Sequence, residues 1–492
     1  MSRGLAGLAG LWLLAAGCAR AADLEDAASL DQQGVALAQA GRISEALEHF
    51  RKALQLKPDW PEAHYHLALA SERLGRTDDA IAEYEETLLL RPEILEARYL
   101  LAGCCRKRGD FEGELVLLAD VVARAPDLAE ARYNYGVALK AREKIGAAVE
   151  QLRAAARMEP RHSRYVLALG VALAEQHNDR EAIAVLRQAV GLAPGSVEAH
   201  YDLALALAAG GDPAEAIREF QAALERDPKQ AAARRGVGVT LMHEGQLEAA
   251  ANELRKALAI DPRDAEIAVN LGLAQLRLKD FPAAIASLER AIEINPSLIK
   301  AHANLAQAFL RAGRPADARR ESARAADLTA EQRSLGRAMV LVQSAGQRLQ
   351  AGDPRAALAQ LREAVAADPR FPGAHFELGR AIRASGGDPA EAVREFRRVL
   401  NLDPERADAH YEIGLTLQSA GSRTEALSEF RTAVEMAPCN LEARRALGKA
   451  ALDAADWTTA AAQFRGVLAR DPRDEEARLA LERARSQRER RP

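Results

Sequence analysis

Apolar side chains recur at helical spacing in short paired bursts along this 492-residue chain. In one pair, Tyr201, Leu203, Leu205 and Leu207 precede the stretch GGDP at 210–213, and Ile217, Phe220 and Leu224 follow it. That pattern predicts two short amphipathic helices joined by a tight turn. Asp212 is expected to cap the second helix, with Pro213 in its first turn, where no amide hydrogen is needed. The second burst comes back almost word for word: EALEHFRKALQLKPDW at 45–60, EAIREFQAALERDPKQ at 215–230 and EALSEFRTAVEMAPCN at 425–440.

Counting in steps of 34 from Ala27 organises the repetition into nine units, the last starting at 299. The eighth place is always Gly or Ala, from Gly34 and Ala68 through Gly238 and Gly272 to Ala306. The twentieth is Ala throughout except at Glu114, and the thirty-second is Pro from Pro58 to Pro296. After five extra residues, four more units begin at 338, 372, 407 and 441. Small residues at places 8 and 20 let two helix backbones approach, and proline ends the second helix because it cannot continue the hydrogen-bond ladder. No such unit can bury its apolar face alone, so neighbours must stack.

This pattern resembles the tetratricopeptide repeat. The resemblance covers residues 27 to 474 and implies an all-α fold, a right-handed superhelical solenoid of about 13 helix–turn–helix units. The expected divisions are nine units over 27–332, an irregular insert at 333–337, four units over 338–474, and a capping helix with a basic tail at 475–492. The family's first-helix aromatic is mostly missing, since the fourth place holds Leu30, His64, Arg98 and Arg132. The weakest joint is 326–340, ADLTAEQRSLGRAMV, where Ser322 and Ala330 break the pattern just before the extra residues. Two readings stand there: a longer helix or loop absorbed in a continuous array, or a break that leaves two arms.

Residues 1–22 are kept out of the fold. Arg3 precedes an apolar run from Leu5 to Gly17, too short to span a membrane but suited to the core of a secretory signal. The stretch AAGC at 15–18 resembles a bacterial lipobox, which implies acylation of Cys18, with Ala15 where that family carries Leu. Cleavage after Ala21, or an uncleaved segment, are the alternatives. Acylation of Cys18 implies a lipid-anchored protein of the bacterial cell envelope facing the periplasm or exterior, and cleavage near Ala21 a periplasmic or secreted one.

Formal net charge is −4 with 28% charged residues, which gives no ground for wholesale nucleic-acid binding. Catalytic signatures fail in detail. GKA at 448–450 lacks the rest of a phosphate loop, and HEGQL at 243–247 has Leu247 where a second zinc-binding histidine belongs. Cys439 is remote from the adjacent Cys104 and Cys105, so no disulfide framework is expected, and Cys104 and Cys105 are expected as small thiols packed in the helical core. No metal, cofactor or enzyme activity is expected.

What remains is surface. The family resemblance places the second, fifth, sixth and ninth residues of each first helix in a concave groove. By position this puts Tyr65, Tyr99, Tyr133, Tyr201, Phe376 and Tyr411 there, aromatic groups suited to binding, though Tyr at this place also lies near the family pattern. Asn134, Asn270 and Asn304 share the sixth place and resemble asparagines that hold extended peptide backbone. Asn270 and Lys300 match part of a carboxylate clamp, but Val239 and Asn304 replace other members. The expected function is a non-catalytic scaffold for a partner protein or extended peptide, touching membrane only through its lipid anchor, in assembly of a secretion, pilus or polysaccharide-export complex. The alternatives are a regulatory or targeting subunit of an enzyme system, and, third, a carbohydrate-binding protein.

Overall fold

The computed structural model describes residues 25–489, which form helices joined by turns with no strand among them. The expected signal region at 1–22, Cys18 included, lies outside the described residues, as do residues 490–492 of the basic tail. Packing divides the chain into two units. One holds the chain up to Pro126, Ser344–Arg362 and everything from Pro372 onward; the other holds Asp127–Gln343 and Glu363–Phe371.

Helix α1 spans 25–39, followed by α2 (Ile43–Leu56), α3 (Pro61–Arg73), α4 (Thr77–Leu90), α5 (Leu95–Lys107) and α6 (Phe111–Arg124). Next come α7 (Ala129–Lys140), α8 (Ile145–Met158), α9 (Ser163–Glu175), α10 (Asp179–Leu192), α11 (Val197–Ala209) and α12 (Pro213–Arg226). Then follow α13 (Ala231–His243), α14 (Leu247–Ile260), α15 (Ala265–Arg277), α16 (Phe281–Ile294), α17 (Ile299–Arg311) and α18 (Pro315–Gln350). The rest are α19 (Pro354–Ala367), α20 (Pro372–Ala384), α21 (Pro389–Leu402), α22 (Ala407–Ser419), α23 (Arg423–Met436), α24 (Leu441–Asp453), α25 (Trp457–Arg470) and α26 (Glu475–Glu489).

Within a repeat the two helices touch where both carry small residues. A Cβ added to Gly136 would lie 2.6 Å from Leu152 Cγ and 3.2 Å from the carbonyl oxygen of Ala148, its twentieth-place partner. Gly238 and Gly272 meet Leu254 and Leu288 at the same 2.6 Å. Any side chain there would force the helices apart. Asp212 caps α12 as expected, its carboxylate accepting from the Glu215 amide at 3.0 Å. Helix α12 stops at Arg226 with Asp227 extended ahead of Pro228, since the proline ring disfavours helical geometry in the residue before it. Most first helices hand over through a left-handed glycine such as Gly41, Gly75 or Gly211, but Glu143, His177, Lys279 and Ala455 hold the same geometry without being glycine.

The fourth place, where the aromatic is lost, has a different use. His64 donates through Nε2 to the Pro58 carbonyl at 2.9 Å and pairs through Nδ1 with Glu83 at 2.6 Å. His200 and His302 do the same with Pro194 and Glu219, and with Pro296 and Glu321. His375 and His410 pair with Glu395 and Glu429. Arg234 takes the role with Pro228 and Glu253. At His64, Arg234, His200 and His302 the peg ties one repeat's terminal proline to the next repeat's second helix. Because carbonyl and carboxylate are both acceptors, the histidine form is fully bonded only as imidazolium. Burial draws His64 down, but the bonds to Glu83 and Pro58 outweigh it and leave its pKa above the ordinary value.

The irregular insert expected at 333–337 is helix. Helix α18 runs unbroken from Pro315 to Gln350 and serves as second helix of one repeat and first helix of the next. Without proline at Ala330, and with helix-forming residues through ADLTAEQRSL, nothing stops it.

The expectation for the cysteines is corrected in one respect. Cys104 is a buried free thiol, but Cys105 forms a disulfide with Cys439, 334 residues away, with Cα atoms 5.8 Å apart. Stacking brings α4 and α5 against α25 and the α23–α24 turn within one unit, so remoteness in sequence was no guide to distance in space. Charged groups fill this contact. Glu85 is buried and pairs with Arg470 and, at 3.0 Å, with Arg444. Burial draws the Arg470 guanidinium down to about 10 against the pull of Glu85. Arg98 donates to the Arg470 carbonyl at 3.2 Å, Arg108 to the Glu435 carbonyl at 2.9 Å, and Arg465 pairs with Glu86. Helix α26 covers the end of α25 with Ala477, Leu481 and Ala484.

Candidate interaction surface

In the second unit each first helix touches the first helix of the following repeat: α7 with α9, α9 with α11, and so on to α17. Among the described residues of this unit, no second helix makes a comparable contact with the second helix of the following repeat. First helices therefore lie on the inner side of the stack, where the family resemblance puts the ligand.

The fifth-place aromatics divide their area between this face and the repeat itself. Tyr65 leans on Tyr84 at 6.2 Å, Tyr201 on Phe220 at 5.9 Å, Phe376 on Phe396 at 5.8 Å and Tyr411 on Phe430 at 6.1 Å. Each pair joins the first helix of a repeat to its own second helix, leaving the fifth-place ring half-buried. Arg406 covers the ring of Phe376 at 4.8 Å. Burial raises the Tyr65 hydroxyl, with Glu96 as its hydrogen-bond partner. Tyr99 is half-buried. Tyr133 departs from this set: it is buried, stacked on Tyr165 at 5.0 Å, and its hydroxyl accepts from Arg164 Nε at 2.9 Å. Tyr65 and Tyr99 belong to one unit and Tyr133 and Tyr201 to the other, so the expected row is not one surface within a single unit.

The sixth place gathers a second set in one unit. Asn134, Asp202, Asn270 and Asn304 stand on α7, α11, α15 and α17, all half-buried. No side-chain hydrogen bond joins Asn270 or Asn304 to another described residue, so both amides are free to donate and accept. Asp202 was missed because it is chemically unlike asparagine when charged. Burial, then Glu198, pushes its carboxyl up to about 6, against the pull of Lys140. Lys300 is exposed and ion-paired with Glu266 of the preceding repeat, so its charge is already engaged. Exposed Leu205 and Leu310 lie on the same first helices. On α12 to α14 a separate cavity of about 460 Å³ is lined by Ile217, Leu224, Arg234, Val237 and Asn252.

Among the described residues no cluster of three or more His, Cys, Asp or Glu could hold a metal ion, and no helix is long and apolar enough to cross a membrane.

The sequence matches the tetratricopeptide repeat over 65–129, 133–197, 201–265, 245–299, 269–333 and 382–441, more than half of the chain. This chain belongs to the tetratricopeptide repeat family. The tetratricopeptide repeat is matched again at 34–75 and 348–411, and no enzyme family is indicated. Tetratricopeptide repeat proteins generally bind proteins or peptides, and this one is accordingly an interaction scaffold by fold. No curated protein matches it. Among solved structures it is similar to a chain of the APC/C hetero-tetramer Cut9–Hcn1, at 17% identity over 93% of this chain and 96% of that one, TM-score 0.34. It is also similar to MamA, at 22% identity over 33% of this chain and 94% of that one, TM-score 0.31. PilF of Pseudomonas aeruginosa gives 21% identity over 45% of this chain and 97% of that one, TM-score 0.32.

The histidine pegs escaped the sequence reading although their signal was present. Five of the ten histidines fall at the fourth place, with glutamate 19 or 20 residues on. Metal-ligand spacing was the wrong template, because the partner sits on the other helix of the same repeat.

Proposed function

We propose that this tetratricopeptide repeat protein is a non-catalytic scaffold that holds an extended segment of a partner protein along the first-helix face of its second unit. The observation that carries this reading is the pair of unengaged amides, Asn270 and Asn304, on successive first helices. An extended backbone supplies both a donor and an acceptor, which these half-buried amides can pair with. Leu205 and Leu310 add apolar area on the same face. The scaffold works in the bacterial cell envelope, anchored through Cys18, and serves the assembly of an export or surface machine. A disulfide between Cys105 and Cys439 supports this location, since such bonds persist in oxidising compartments.

Two measurements test the two halves. Metabolic labelling with a clickable palmitate analogue, followed by membrane fractionation, should give label and membrane association in wild type and neither in Cys18→Ala. Label absent from both would end the lipoprotein reading. Photo-crosslinking groups placed at Asn270 and Asn304 should trap the same partner in cells, and one placed at exposed Glu225 on the second helix α12 should not. Equal trapping from all three positions would move the binding face elsewhere.

A further inference from the structure

We propose that Cys105 and Cys439 form a redox-operated clasp that closes the first repeats of the chain onto the last ones and releases them on reduction. The clasp joins stacks that are each complete without it. Helices α3 to α6 pack in sequence order, as do α22 to α26, and repeat arrays keep such neighbour contacts independently of distant ones.

The contact it closes combines packing of α4 on α25 with an unusual density of buried charge. Leu89 does reach the cluster around Phe464, Val467 and Leu468. Around it, however, lie two cavities. One of about 680 Å³ is lined by Glu85, Glu86, Arg108, Pro438 and Arg444, and one of about 430 Å³ by Asp110, Gly113, Leu117, Cys439 and Arg470. Three buried polar atoms here have no hydrogen-bond partner: Arg98 Nε, Asp110 Oδ2 and Arg470 Nε. Each is a buried polar atom left unpaired in the closed contact, although Arg470 and Cys439 act on the Asp110 carboxyl as a whole. Buried ion pairs such as Glu85 with Arg444 and Arg470 return little over their own desolvation. These groups lower the non-covalent gain of closing, and the covalent bond tips the balance.

The chemistry is a simple exchange. A dithiol reductant enters by the cavity that reaches Cys439, its thiolate attacks one sulfur, and a mixed disulfide forms as the other cysteine leaves. The second reductant thiol then displaces the protein, departing as a cyclic disulfide. Two electrons and two protons have passed to Cys105 and Cys439. The neighbouring Cys104 does not compete, because burial pushes its thiol up to about 12 and keeps it protonated.

The test uses the full chain, oxidised and then treated with dithiothreitol, with Cys439→Ser and Cys104→Ser alongside. Alkylation under denaturing conditions should map two additional sites, Cys105 and Cys439, after reduction. Hydroxyl-radical footprinting at Leu89 and Val434 should rise about twofold or more on reduction and in Cys439→Ser, as expected for a sub-global opening. Cys104→Ser should behave as oxidised wild type, and far-UV circular dichroism should not change in any sample. Absence of the two extra alkylations would overturn the clasp by removing the bond. Unchanged footprinting after confirmed reduction would overturn it by showing that the charged contact holds alone. Loss of helicity on reduction would also overturn it, since the bond would then belong to the fold itself.

Discussion

The repeats of the second unit and the contact between the first and last repeats are built from different residues. In the second unit the same places recur in the same work: Gly against Leu, as at Gly136 and Leu152 or Gly238 and Leu254, and a fourth-place peg to a proline carbonyl at His200, Arg234 and His302. In the closing contact the working residues are exceptions to the repeat. Gly113 opposes Cys439, where a Cβ would come within 2.5 Å of the Cys439 Cβ. Gly466 makes room for Arg444 and Glu85. Periodic residues make the stack, and aperiodic ones join its ends.

That contrast can be broken from either side. Reducing the disulfide should have the largest effect, because it closes a long loop of chain. The expected loss is on the order of 3–5 kcal/mol for the unit that contains it. Urea unfolding followed by circular dichroism should show one phase moving to lower denaturant and the rest staying. If all phases move together, the two regions are not energetically separate. The converse variant, Gly238→Leu, overpacks a periodic position and should cost about 1–3 kcal/mol. Hydrogen exchange should quicken in α13 and α14 while the reactivity of Cys105 and Cys439 stays as in wild type. Altered cysteine reactivity would collapse the distinction.

Two smaller effects sharpen it through pH. The folded carboxyl of Asp202 titrates near 6, above its unfolded value, so its burial penalty is absent at low pH and appears as pH rises through about 6. Asp202→Asn should therefore stabilise the second unit by about 1–2 kcal/mol above that pH and by nothing below pH 4. Thermal melts at pH 4 and pH 8 separate these cases. His64 runs the other way. Its folded pKa is raised, so its contribution is complete below the unfolded value and fades as pH rises through the folded one. Melting temperature should fall slightly more between pH 6 and pH 8 in wild type than in His64→Gln. Equal slopes would show that the peg carries no charge-dependent stability.

The architecture was legible because each repeat restates its own packing. Gly or Ala at place 8, Ala at place 20 and Pro at place 32 announce two close helices and their end, and α11 to α16 follow that pattern. The fused helix α18 was half legible: Ala330 marks the missing stop, but a missing stop does not say whether a loop or a helix follows. The disulfide was illegible, because a contact across 334 residues leaves no period behind. The binding face was legible only in part. Place in the repeat located Asn270 and Asn304, yet only the structure shows that Tyr133 spends its ring and hydroxyl on Tyr165 and Arg164.

One detail of the turns bears on how much more heat this chain could be made to withstand. At Glu143, His177, Lys279 and Ala455 the backbone is left-handed, with φ near +60°, where a Cβ costs about 1 kcal/mol. Their counterparts at Gly41, Gly75 and Gly211 show that glycine fits the same turn. Four substitutions to glycine, each remote from the others, should act additively. The scaffold thus carries a reserve of thermal tolerance at sites away from the sixth-place asparagines, open to engineering without touching what it binds.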